Sequence, residues 1–229
     1  MNKTFSTPRS AVRIAVLDYG SGNLHSVCQA LAAVGADVVL GTTAGSIVGC
    51  GGLLVPGVGA FSTCAAGLQA VAGYQLIRDW LAADRPVLGI CVGHQIMFTA
   101  GKEHGVSAAG VGVLPGVVEQ LPAVRLPHMG WNTVTAAADT QMFKGVETER
   151  FYFLHSYALR SLHGLGVTWG EHGGVKFVAA VERGALWGVQ FHPEKSGAAG
   201  AKLLSNWVAL VSRGVNHELS TAGNYSAGE

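Results

Sequence analysis

The sequence predicts an α/β fold: a mostly parallel central sheet flanked by helices, with a mixed or antiparallel extension. Three observations carry that expectation. As far as Ile90, short apolar runs alternate with segments of helical spacing, the pattern of repeated βαβ units. Such runs suit strands of a parallel sheet covered on both faces. After Val111 the runs turn aromatic-rich and are broken by Gly, Pro and Asn, which reads as further, antiparallel pairing.

At 229 residues one domain is expected, over 11–212, between a flexible N-terminus at 1–10 and a mobile C-terminal tail at 213–229. A net charge of +1 with only 13% charged residues offers no basic face to nucleic acid. Val38 to Ile77 carries no Asp, Glu, Lys or Arg, yet its glycines and Pro56 leave no apolar span of the ~20 residues that crossing a membrane requires. Met1–Ser10 is polar and lacks a signal peptide's apolar core. Cys28, Cys50, Cys64 and Cys91 form no CxxC pair, which fits free thiols in a reducing compartment. The histidines show no ligand spacing, so neither metal nor cofactor is expected. The reading is a soluble cytoplasmic protein.

Taken in order, Ala11–Leu17 is the first buried strand and Asp18–Asn23 the loop that leaves it. Leu24–Val34 has helical spacing and a stop at Gly35. Ala36–Leu40 and Leu53–Val55 are further strands, and the glycines at 20 and 22 lack the GxGxxG pattern of a phosphate loop. Pro56–Phe61 follows a strand directly. Its Gly57 and Gly59 serve a tight turn, or a ligand's close approach with a peptide flip at Val58 that aims N–H groups at an oxyanion. Thr63–Val71 and Tyr74–Ala83 read as helices, and Asp84-Arg85-Pro86 leads into the central strand Val87–Ile90.

That strand ends at Cys91, with Gly89 and Gly93 two residues to either side and a helix expected over Gln95–Ala100. Glycines there permit a sharp strand-to-helix turn, the geometry of a nucleophile elbow. A cysteine at its apex would be exposed at a helix start, where the helix's positive end favours thiolate. Taken alone, the residue fits a buried structural cysteine as well.

Val111–Gln120 reads as two short strands around Pro115-Gly116, His128–Thr135 and Phe151–His155 as aromatic-rich strands, and Val175–Glu182 with Ala185–Phe191 as a hairpin about Arg183-Gly184. By pattern alone Met129 and Trp131 are core residues. His192 and Glu194 flank Pro193, and in an extended segment they share a face, so the carboxylate can orient the imidazole as the third member of a triad. From Ala198 to Ser212, Leu203, Leu204, Trp207, Val208 and Val211 fall on one helical face.

A cysteine nucleophile, a His–Glu pair and a Gly-rich loop point to acyl transfer through a thioester. Gly89-Ile-Cys-Val-Gly-His-Gln95 with Gln190-Phe-His-Pro-Glu-Lys195 resembles the class I (triad) glutamine amidotransferases. Asp18–Leu24, Pro127–Asn132 and Phe151–Tyr157 resemble the branch formed by the glutaminase subunits of imidazole glycerol phosphate synthase, in histidine biosynthesis. The resemblance runs from about Val12 to Leu210.

It implies that Cys91 attacks the glutamine amide, His192 shuttles the proton and Glu194 orients His192. Val58 and Val92 would supply the oxyanion hole, and Gly57, Gly59, Gln95, His155, Ser156 and Tyr157 would hold glutamine. It further implies a (βα)₈-barrel cyclase partner in a heterodimer, faced by Asn23, Met129, Trp131, Tyr152 and Lys195, which overturns the core reading of Met129 and Trp131. His94 stands where an apolar residue is commoner in that branch. An unflipped Val58 peptide would leave the isolated subunit a poor glutaminase.

Three other readings compete. The chain could serve anthranilate or GMP synthesis, against which the His128–Asn132 and Phe151–Tyr157 segments argue. It could be a non-catalytic binding protein, against which the intact Cys91, His192 and Glu194 argue. A cysteine peptidase or zinc site lacks motif support.

Overall fold

The structure, a computed structural model, describes residues 11–164 and 166–223. The expected N-terminal arm at 1–10 and the end of the expected tail at 224–229 lie outside the described residues.

The elements run β1 (Arg13–Leu17), α1 (Leu24–Ala33), β2 (Asp37–Gly41), β3 (Gly52–Val55), α2 (Phe61–Ala70), α3 (Gly73–Ala82), β4 (Val87–Ile90) and α4 (Val92–Gln95). There follow β5 (Phe98–Glu103), β6 (Val106–Ala109), β7 (Leu114–Gln120), β8 (His128–Asn132), β9 (Phe151–His155) and β10 (Tyr157–Ala158). The chain continues with β11 (Val167–His172), β12 (Val175–Arg183), β13 (Leu186–Val189) and α5 (Gly197–Gly223).

The main sheet has the order β11-β12-β13-β4-β3-β1-β2. From β13 to β2 all neighbours are parallel, whereas β11, β12 and β13 pair antiparallel. The predicted mostly parallel sheet with an antiparallel extension is therefore what forms. Every residue of β3, β4 and β13 is buried, as strands covered on both faces must be. Helix α1 packs with α5, and α2 with α3. A side chain at Gly52 would strike Val211 and Trp207, so a glycine lets α5 lie close on β3.

Two smaller sheets complete the fold, β10-β7-β5-β6 and the ribbon β8-β9. They correct two expectations. The helix expected over Gln95–Ala100 ends at Gln95 after one turn, and Phe98 begins strand β5. Ile96, Met97 and Phe98 are all fully buried, so no polar face exists to continue a surface helix, and pairing with β6 and β7 wins. Val111–Gln120 is not a pair of strands. Pro115 and Gly116 lie inside the single strand β7, where Gly116 takes φ 129° and the register against β5 slips. Helix α5 runs on to Gly223, past the Ser212 at which its apolar pattern ends. Strands β6, β10 and β11 were not expected at all.

The loops that leave β1, β3, β4 and β13 all open at the carboxyl ends of adjacent parallel strands, where ligands bind in such sheets.

Candidate active site

Cys91 follows β4 and adopts φ 54°, ψ −112°, an unusual conformation for a residue with a side chain and a cost on the order of 1–3 kcal/mol. The surrounding backbone holds it there. Its N–H donates to Val189 O at 2.8 Å, and its carbonyl accepts from His94 N and Gln95 N, both at 3.0 Å. A Cβ at Gly93 would lie 2.0 Å from Val55 O, and one at Gly89 2.7 Å from Gly93 O, so only glycines let the elbow seat between β3 and β4. Cys91 is buried, at 5% exposure, rather than exposed as expected. It is reached through a cavity of ≈ 330 Å³ that it lines with His192, Gln95 and Tyr157.

His192 is placed by the chain leaving β13: its N–H donates to Tyr152 O at 2.9 Å and its carbonyl accepts from Ser196 Oγ at 2.6 Å. Its Nδ1 meets Glu194 Oε1 at 2.8 Å, with the two side chains 3% and 1% exposed. The link is not the extended segment expected from sequence. Pro193–Lys195 forms a 3-10 turn that folds Glu194 back onto the ring. Asn23 Nδ2 donates to the same Oε1 at 2.7 Å. Asn23, expected to face a partner, is thus a half-buried support of the His–Glu pair, held at φ 69° just before α1. Burial alone would push the His192 pKa down. Hydrogen bonds to Cys91 and Glu194, and the charge of each, outweigh that and raise it from 6.5 to about 9.

The two expected oxyanion donors are in different states. Val92 N–H donates to Gly57 O at 3.2 Å, so the Gly57 carbonyl occupies the place an oxyanion needs. In a trans peptide the N–H points opposite the carbonyl, so Val58 N–H is turned away from the elbow. A Cβ on Gly57 would sit 2.4 Å from Gly93 N, and Gly59 takes φ 92°. Tyr19 donates its hydroxyl to Pro56 O, and Cys64 its thiol to Val58 O at 3.4 Å.

Gln95 is buried and donates its amide to Tyr157 O at 2.8 Å and to Gln190 Oε1 at 2.9 Å. His155 is also buried, with both ring nitrogens engaged. Its Nδ1 donates to Tyr157 O at 3.1 Å, because a carbonyl only accepts, and its Nε2 therefore accepts from His128 Nδ1 at 3.0 Å. His128 Nε2 in turn accepts from Asn132 Nδ2 at 3.2 Å. Burial, with the neighbouring imidazoles, lowers the pKa of His155 to about 3 and of His128 to about 4, so the chain is neutral. His155, Ser156, Tyr157 and Gly59 line the cavity, whereas Gly57 is packed against the elbow.

Sequence reasoning missed Glu103, His104 and Gln120, which also line the cavity. Glu103 Oε2 accepts from Phe61 N at 2.7 Å at the start of α2. The misread helix after the elbow hid it, since only strand β5 carries its side chain to the cavity. Gln190, part of the motif that ends β13, places its Nε2 3.8 Å from Cys91 Sγ, a contact its spacing in sequence does not signal. Lys195 lines the cavity mouth and is exposed. On the β8-β9 ribbon Met129 faces Leu154 and Trp131 faces Tyr152. Met129 at 66% and Trp131 at 53% exposure leave this an open apolar face. His94 points into the core beside Gly188 and Phe98, away from the cavity.

Among the described residues, no three His, Cys, Asp or Glu side chains are grouped to hold a metal, and no helix is long and apolar enough to cross a membrane. All four cysteines are free thiols.

The family Glutamine amidotransferase class-I matches residues 15–210. The imidazole glycerol phosphate synthase subunit HisH of Corynebacterium diphtheriae is 56% identical over 208 residues, covering 87% of this chain and 99% of that protein. The same subunit of Nocardia farcinica is 54% identical over 204 residues, covering 85% of this chain and 96% of that one. A crystal structure of a glutamine amidotransferase superposes with TM-score 0.68 at 19% identity, over 87% of this chain and 98% of that one, a likeness of fold. This chain belongs to the class-I glutamine amidotransferase family, in the branch of the HisH subunits of imidazole glycerol phosphate synthase.

Proposed function

We propose that this chain is the glutaminase subunit of an imidazole glycerol phosphate synthase, a single-domain cytoplasmic enzyme over 11–212 that feeds ammonia to a cyclase in histidine biosynthesis. The observation that carries the chemistry is the buried His192–Glu194 pair at 2.8 Å beside Cys91 on its elbow.

In the reaction, the Cys91 thiolate attacks the carbon of the glutamine side-chain amide, and the carbonyl electron pair moves to oxygen. Val92 N–H, freed from Gly57 O when the Gly57–Val58 peptide turns, and Val58 N–H, now facing the elbow, hold that oxyanion. The C–N bond breaks as His192, its Nδ1–H held by Glu194, passes the proton on Nε2 to the leaving nitrogen, which departs as ammonia. A γ-glutamyl thioester remains on Cys91. Water, giving its proton to the now neutral His192, attacks the thioester and releases glutamate. Glu103 offers a carboxylate to the substrate's α-ammonium at the cavity wall.

Ammonia lost to water would be wasted, so the cavity must be closed by the partner that consumes it. The β8-β9 face with Met129, Trp131 and Tyr152, together with Lys195 at the cavity mouth, supplies the surface for a (βα)₈-barrel cyclase in a heterodimer. Its exposed large apolar side chains suit an interface core. With the resting loop blocking Val92 N–H, the chain by itself is a weak glutaminase.

Cys91→Ala in the purified complex tests the reading. Glutamine-dependent synthesis is lost while ammonia-dependent synthesis by the cyclase persists. Loss of both would make Cys91 structural.

A further inference from the structure

The Pro56–Gly59 loop is gripped from behind by two side chains that the reaction does not touch. Tyr19, buried after β1, donates to Pro56 O, the carbonyl before the Gly57–Val58 peptide. Cys64, buried at the end of the first turn of α2, donates to Val58 O at 3.4 Å, the carbonyl after it. Tyr19 and Cys64 also lie against each other. Burial pushes the pKa of both groups up, so both keep the proton that donation requires.

A half-turn of the Gly57–Val58 peptide about the line joining its two Cα atoms leaves the peptide planes on either side in place. The hydrogen bonds from Tyr19 and Cys64 therefore survive in both positions of that peptide. Bonds made equally in two states shift no equilibrium between them, so they do not hold the loop shut. What favours the resting state is the Val92 N–H bond to Gly57 O. Val58 itself adds to this: its φ is negative at rest, and a half-turn carries a β-branched residue to positive φ.

We propose that Tyr19 and Cys64 are positioning residues for the oxyanion hole: they fix the two carbonyls that flank the Gly57–Val58 peptide, so that this peptide alone turns and Val58 N–H arrives at the elbow in register with Val92 N–H. The proposal rests on the reading of Val58 and Val92 as the oxyanion donors. Without the two anchors the loop moves as a whole, and the turned N–H misses its position.

The test uses Tyr19→Phe, Cys64→Ala and Cys64→Ser in the full complex with the cyclase and imidazole glycerol phosphate. Glutamate release from glutamine is measured beside iodoacetamide alkylation of Cys91, read by peptide mass. Alkylation by displacement needs the thiolate and no oxyanion hole. Tyr19→Phe and Cys64→Ala are expected to lower kcat about tenfold each, the scale of one lost hydrogen bond, with KM for glutamine within about threefold. Cys91 alkylation stays at the wild-type rate, and Cys64→Ser, which keeps a donor, retains most of kcat. Unchanged kcat in Tyr19→Phe and Cys64→Ala overturns the proposal, as does a parallel fall in alkylation, which would place the effect on Cys91 and His192. A wild-type complex that releases no glutamate would instead refute the glutaminase reading itself.

Discussion

Replacing Glu194 by Gln separates the charge of the His192 partner from its shape. In the folded chain His192 Nδ1 and Asn23 Nδ2 both donate to Glu194 Oε1, so a Gln at 194 keeps its amide oxygen there. Its NH₂ then takes the place of Oε2, a buried atom that has no hydrogen-bond partner among the described residues. The ring orientation survives and the negative charge does not. The rise of the His192 pKa from 6.5 to about 9 corresponds to about 3 kcal/mol in favour of imidazolium. With side chains 3% and 1% exposed, solvent screens little of it. Burial opposes this rise, and Cys91 and Glu194 share in producing it. Losing the Glu194 charge is expected to lower the alkaline limit of glutamate release by about one pH unit or more and kcat near neutrality by about tenfold. Folding raises the imidazole pKa, so the stabilisation from the pair is complete below pH 6.5 and lost as pH rises through about 9. In the variant that contribution is smaller and is exhausted at a lower pH. The assay is the pH profile of kcat for the partner-activated enzyme, paired with denaturant unfolding at pH 6 and pH 9. An alkaline limb unmoved in Glu194→Gln, with kcat within twofold, would refute the assignment of Glu194 as the group that sustains the imidazolium.

Trp131→Ala removes an exposed aromatic from the β8-β9 face. It is expected to weaken the Kd for the cyclase tenfold or more by calorimetry while leaving the melting temperature of the chain alone unchanged. His94 is 1% exposed, its Nδ1 has no hydrogen-bond partner among the described residues, and burial lowers its pKa to about 3. His94→Met should therefore raise denaturant stability by about 1–2 kcal/mol with kcat unchanged. The gain should widen as pH falls from 6.5 toward 3, because only the unfolded chain takes up the proton there.

What the sequence disclosed was local. The Gly89-Cys91-Gly93 elbow and the His192-Glu194 pair each lie within a few residues, and the glycines report backbone clashes that any side chain would cause. Asn23 bonds to Glu194 from 171 residues away, a pairing that no spacing rule reaches. Glu103 was missed for a different reason. An apolar run as short as Ile96–Phe98 fits helix or strand, and only the pairing of β5 with β6 and β7 decides it. The glycines at 57 and 59 announced that a peptide could turn there. Which way it rests depends on Val92 N–H at the start of α4, a contact with a segment far along the chain.

The measurement that bears most directly on a gated glutaminase is glutamate release by the purified chain, alone and with its cyclase and imidazole glycerol phosphate. One missing oxyanion donor costs on the order of a hundred- to thousandfold in rate, and at rest both Val92 N–H and Val58 N–H are out of use, so slow turnover alone and a rise of at least that size in the complex are predicted. Full turnover by the isolated chain, unmoved by the partner, would contradict the account.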